Sequence, residues 1–362
     1  MNYKFIIIAI LSPVLFISCS DDTTKPNEEI DKKALLVNYA DNLIIPAYSE
    51  LYEQSKVLKD RFEELKNNYS DSLSSLIRVE FGDLQIIWGR CSMYGFGPAN
   101  EIQLRQAINT FPTDTSLIEE NIESGSYSLA TSANFKAKGL PAIEYLLHPS
   151  EITSWQEYYD NEKMLNYISD LIDDVHTNIS YVYNKWSDYR DKFVNNTGND
   201  AGSSLSIMIN DYVFDYEIAK RAKVGIPLGI YTSEPLPYNF EAPYSNRSKN
   251  LLISNLRAYK AFITGPRQND SRKADNIKEY LDALSAMRDD SQLSTKIVEE
   301  IDESIAMVES LNDPIHEMVQ NPTGKSEIDA LYKNMQEMVV LIKTDMTSAM
   351  GILISYQDND GD

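Results

Sequence analysis

The chain has 362 residues and a formal net charge of −22, from 55 acidic and 33 basic side chains. So acidic a chain repels phosphate backbones and excludes general nucleic-acid binding, while 43% hydrophobic residues exclude wholesale disorder. Two cysteines and three histidines exclude a disulfide-dense scaffold and a multi-Cys or His-rich metal centre.

Lys4 precedes an apolar run from Phe5 to Ile17, followed by Ser18-Cys19-Ser20-Asp21-Asp22. A membrane-spanning helix needs about 20 apolar residues, so this shorter run reads as a secretory signal. A small residue directly before a Cys at the end of such a run resembles a bacterial lipobox, with Phe16 where Leu is commoner. The resemblance implies that residues 1–18 are removed and that Cys19 carries lipid and begins the mature chain. The polar stretch up to residue 33 is expected to be a tether.

Apolar residues at helical spacing predict a helix over 35–67, interrupted at Pro46, and another over 72–93. The clearest element is 155–194, where Leu165, Ile168, Ile172, Val175, Ile179, Val182, Trp186, Tyr189 and Phe193 recur three and four apart. The polar, glycine-containing segment 194–203 divides the chain, giving an expected N-terminal helical bundle over 34–195 and a C-terminal one over 196–362. In the second part, helices are expected over 203–222, 246–264, 273–289, 293–311 and 325–353, with a Pro- and Tyr-rich loop over 225–245. The predicted fold is all-α, two helical-bundle halves packed side by side.

No Ser-His-Asp, HExxH, P-loop or dinucleotide fingerprint is present. Three local patterns stand out. Arg90 follows Ile87 and Trp88, and an arginine in apolar company needs a partner if it is buried. Glu144 lies among Ile143, Tyr145, Leu146 and Leu147, just after Pro141 at a helix start, and is expected to be paired or functional. A helix could also bring Glu144 beside His148. The acidic ending holds Asp358 and Asp360, which could take a hard cation without matching a full calcium loop.

Taken in order, these segments resemble the imelysin family of bacterial envelope proteins, also classed as M75 metallopeptidases. Gly139 and Glu144 match the ends of its Gly-x-His-x-x-Glu hallmark. Trp88, Arg90 and Phe96-Gly97-Pro98 resemble its early segment, and Ser245-Asn246-Arg247-Ser248 its second-half helix start. The last residues resemble its Asp-Gly-Asp ending. The resemblance implies a site between two helical halves and a lipoprotein of iron or haem uptake in the cell envelope. It would be anchored to the outer membrane through Cys19, on the periplasmic side or the surface.

Pro141 stands where the hallmark has His. A zinc peptidase needs three protein ligands and a base, so no catalytic residue is assigned. The expected ligand-binding set is Arg90, Glu144, Ser245 and Ser248, with Glu144 and Arg90 in one buried pocket. Glu144, Asp358 and Asp360 are the candidate metal ligands, for iron or another divalent cation. Components of iron or haem uptake are the expected partners, and no nucleic acid is. The alternatives are an M75-type metallopeptidase with Glu144 as base or ligand, and a scaffold in which the polar residues only join the halves.

Overall fold

The structure, a computed structural model, describes residues 30–150, 154–265 and 275–356. Cys19 and the signal and tether segments before residue 30 lie outside the described residues, as do Asp358 and Asp360. The helices, in order, are α1 (Lys32–Tyr39), α2 (Ile45–Asn67), α3 (Asp71–Cys91), α4 (Pro98–Glu101), α5 (Leu104–Ile108), α6 (Thr115–Ser124), α7 (Gly139–Leu147), α8 (Trp155–Tyr159) and α9 (Glu162–Asn195). They continue with α10 (Ser204–Ile218), α11 (Ile226–Leu228), α12 (Ser248–Thr264), α13 (Ile277–Ala283), α14 (Leu293–Ser310), α15 (Ile315–Met318), α16 (Pro322–Val339) and α17 (Thr347–Met350). The expectation of an all-α fold holds. A two-residue hairpin, Met287–Arg288 with Ser291–Gln292, shortens the helix expected over 273–289.

Local chemistry explains the element ends. Ser70, Asp114, Asn161, Ser203, Asn276 and Asn321 each accept a first-turn backbone N–H at the start of α3, α6, α9, α10, α13 and α16. Asn161 therefore starts a new helix inside the segment read as one from 155. Pro46 does not end its helix. It sits in the first turn of α2, directly after a π-turn over Ala40–Ile44, and Pro227 has the same relation to a π-turn over Ala219–Gly225. Proline lacks the N–H that would bond back one turn, and the wider turn re-registers the ladder around it.

The stripe on α9 faces inward as its spacing demands, with Ile168, Ile172, Val175, Ile179, Val182, Trp186 and Phe193 buried. It packs on α2, which also packs on α3. In the second half α12 packs on α14, and α14 on α16. The two groups meet where α3 lies against α12, with Gly89 facing Asn255 and Ser254. Among the described residues no helix is long and apolar enough to cross a membrane.

Candidate functional site

Short, buried α7 carries Glu144, which is only 1% exposed. Its Oε1 accepts the Ser245 backbone N–H at 2.7 Å and the Ser245 hydroxyl at 2.9 Å. The loop that supplies these donors is held by two non-glycine residues in the left-handed region, Ala242 (φ 55°) and Asn246 (φ 57°). Such a backbone is sparsely populated and persists only where its surroundings fix it. Burial pushes the Glu144 carboxyl up to about 7, with Glu241 adding to the rise, against the Ser245 and Tyr244 donors.

Glu241 belongs to a second cluster. Its carboxylate accepts Asn109 Nδ2 at 2.8 Å and pairs with Lys223 Nζ at 2.6 Å, both charged side chains being buried. Lys223 also donates to Asn255 Oδ1 at 2.6 Å, and Asn255 Nδ2 reaches the Gly89 carbonyl at 2.7 Å across the α3–α12 contact. Next to it, Arg105 Nε meets Asp215 Oδ1 at 3.0 Å, while Nη2 meets the Ser92 carbonyl at 2.6 Å and Asp211 at 3.3 Å. Asp215 Oδ2 accepts Ser92 Oγ at 2.7 Å and Tyr259 OH at 2.8 Å. Asp211, which also takes the Gly95 N–H, is pushed up to about 6 by burial and by Asp215, despite Arg105.

The Glu241 and Arg105 clusters, joined by Asn255 Nδ2 donating to Ser92 Oγ at 3.5 Å, form a polar seam that links residues of the first half to residues of the second, with Glu144 and Ser245 outside these bonds. A cavity of about 220 Å³ opens in it, lined by Trp88, Ser92, Arg105, Asn109, Asp215 and Lys223, with Phe111, Ile218 and Ala222 as its apolar wall. Trp88 is 2% exposed, and its indole Nε1 has no hydrogen-bond partner among the described residues.

Ser245 and Glu144 come together as expected. Arg90 does not join them. Its side chain is 43% exposed and paired at 2.7 Å with Glu50, itself 51% exposed. Residues two apart on a helix point in different directions, so Trp88 does not bury it, and Ile87 one turn back leaves it exposed towards Glu50. The arginine of the seam is Arg105. Ser248 is 6% exposed and its Oγ has no partner among the described residues, but it does not bond Glu144. His148 Nε2 is buried without a partner, and burial together with Arg247 and Arg78 pushes its imidazole down to about 4.

Arg105, Asp211, Asp215, Lys223 and Glu241 escaped the sequence reading. A signal was present: Asp211 and Asp215 lie four apart on α10, beside Tyr212, Val213 and Tyr216, so one face of a buried helix carries two carboxylates. A zinc site does not fit here. Pro141 replaces the hallmark His, both Glu144 contacts are hydrogen-bond donors, and among the described residues no group of three or more His, Cys, Asp or Glu side chains is placed to hold a metal.

The fold and the seam define an all-α protein with an open cavity between α3, α5 and α10, where polar seam residues meet an apolar wall. The profile of the imelysin family, peptidase M75, matches residues 44–342, and the chain belongs to that family. An imelysin-like protein from Psychrobacter arcticum 273-4 superimposes with a TM-score of 0.68 at 17% identity, covering 90% of this chain and 97% of that one. A protein from Parabacteroides distasonis ATCC 8503, assigned as an iron-regulated protein A precursor, gives 0.71 at 14% identity, covering 88% and 95%. At these identities the likeness is one of fold. No curated protein matches the chain.

Proposed function

We propose that the protein is an imelysin-like envelope lipoprotein of iron uptake that binds a small ligand in the seam, without catalysis. The observation that carries the reading is the seam cavity: half-buried Arg105 and Asn109, buried Asp215 and Lys223, and apolar Phe111, Ile218 and Ala222 line one opening of about 220 Å³. The family and the iron-regulated name of the Parabacteroides neighbour support the uptake role. The lipobox-like Ser18-Cys19 supports anchoring to the outer membrane, and the uptake components are the partners.

Iron accumulation by cells grown in scarce iron tests the role. A strain carrying Asn109→Ala, whose side chain lines the cavity, is expected to accumulate less iron than one carrying the wild type at equal protein level. Equal accumulation would remove the seam from the function. Zinc-dependent, chelator-sensitive peptide cleavage that disappears in Glu144→Ala would replace this reading with a metallopeptidase.

A further inference from the structure

The last described residues run along α10. Asn210 donates its Nδ2 to the Leu353 carbonyl at 3.0 Å, and its Oδ1 accepts the Ser355 backbone N–H at 2.8 Å. The Tyr356 ring packs on Phe214 at 5.1 Å between centroids, and its hydroxyl donates to Glu217 Oε2. Asn210, Phe214 and Glu217 follow one another four and three residues apart, so they form one stripe on the helix. Arg221, four residues further in the π-turn that extends α10, comes next on that stripe. The contacts of the chain therefore advance from Asn210 to Glu217, towards Arg221.

This end of the helix is basic. The Lys220 ammonium lies 5.7 Å from the centre of the Tyr332 ring and the Arg221 guanidinium 4.1 Å from that of Tyr231, and the two phenol oxygens are 2.9 Å apart. Lys343 lies over the Tyr356 ring at 5.5 Å and pairs with Glu217 Oε1 at 2.8 Å. Three cations thus gather beside Glu217 in a chain whose acidic side chains outnumber the basic ones 55 to 33.

The sequence supplies the complement. Gln357-Asp358-Asn359-Asp360-Gly361-Asp362 follows Tyr356 directly and holds carboxylates without a basic residue. Phe214 and Arg221 are about 10 Å apart along the helix, at roughly 1.5 Å per residue. An extended chain spans about 7 Å in the two residues from Tyr356 to Asp358 and about 13 Å in the four to Asp360. Both carboxylates are within reach of Arg221 and Lys343.

We propose that this acidic segment docks on the basic end of α10, where Asp358 and Asp360 pair with Arg221 and Lys343. The two aspartates are then spent on the chain's own cations, in place of the divalent cation that the sequence led us to expect there. The proposal does not depend on what fills the seam cavity.

Carbodiimide cross-linking tests it, because the reagent joins a carboxylate to an amine in contact with it and leaves no spacer. It is applied to the full-length protein in detergent, as wild type and as Arg221→Lys, which keeps the charge and adds a reactive amine. The Lys343–Glu217 pair, at 2.8 Å, reports in each sample that the fold and the reaction are intact. Digestion and mass spectrometry are expected to find Asp358 or Asp360 joined to Lys343 in both proteins, and to position 221 in Arg221→Lys. Mixed ¹⁴N- and ¹⁵N-labelled protein is expected to place these links within one chain. Absence of either link from a sample in which the Lys343–Glu217 link forms would overturn the proposal. Links scattered to lysines across the surface, or formed between chains, would overturn it too. So would magnesium chloride that abolishes the aspartate links and spares Lys343–Glu217, which would assign the carboxylates to a cation.

Discussion

Glu144 shows how one residue carries both the legible and the illegible parts of the site. Its apolar neighbours on α7 announced burial, and burial is what raises its carboxyl to about 7. In the unfolded chain a glutamate titrates near 4.5. Below that pH both states are protonated and the residue costs nothing. Between 4.5 and 7 the folded state holds more protons, so stability falls as pH rises, and above 7 the full cost is present. A shift of this size corresponds to about 3 kcal/mol. Glu144→Gln keeps an oxygen for Ser245 and removes the charge. In urea unfolding its stability relative to wild type is expected to rise by about 3 kcal/mol between pH 4.5 and pH 8. A variant whose stability tracks the wild type over that range would show that the carboxyl is not titrating there. Arg90 teaches the opposite lesson. Apolar neighbours in sequence marked it too, but α3 turns it outward to Glu50, and only the packing of α2 against α3 reveals that.

At the scale of elements, helix faces were legible because the 3.6-residue period dictates them. On α9, Ile168, Ile172, Val175, Ile179, Val182, Trp186 and Phe193 are buried where their spacing placed them, with Leu165 and Tyr189 half-buried at its edge. The short elements α4 to α6 and the loop holding Glu241 and Ser245 were not, because their form depends on what they touch. The start of α7 has a sharper rule. Gly139 has φ +75°, and a Cβ there would lie 2.4 Å from the Ile108 carbonyl oxygen at the end of α5. The hallmark glycine is therefore fixed by a backbone approach that brings α7 against the element carrying Arg105. Gly139→Ala combines an unfavourable left-handed backbone with a backbone clash, and is expected to destabilise the protein by about 2 kcal/mol or more. Urea unfolding checks this. A loss below about 0.5 kcal/mol would mean that the contact is loose and that α7 is held by other means.

At the scale of the whole molecule, a chain of −22 charge keeps its buried seam balanced by pairing most of the charges inside it. On the anchoring proposal, Cys19→Ser is expected to move the protein from the membrane fraction to the soluble fraction, read by fractionation and immunoblot. A variant that sediments with membranes as the wild type does would contradict the lipid anchor. The all-α class and the family were legible because they rest on periodicity and on motifs spread along the chain. The joining of Arg105, Asp215, Lys223 and Glu241 was not, because it unites residues from both halves that are distant in sequence. The central claim is that this seam is a ligand site of iron uptake. Its most direct test is calorimetric titration of wild type and Asn109→Ala, whose side chain lines the cavity, with the uncharged ferric tris-acetohydroxamate chelate. The account predicts one-to-one saturable binding, weakened at least 5-fold by Asn109→Ala. No binding, or equal binding by both proteins, would contradict it.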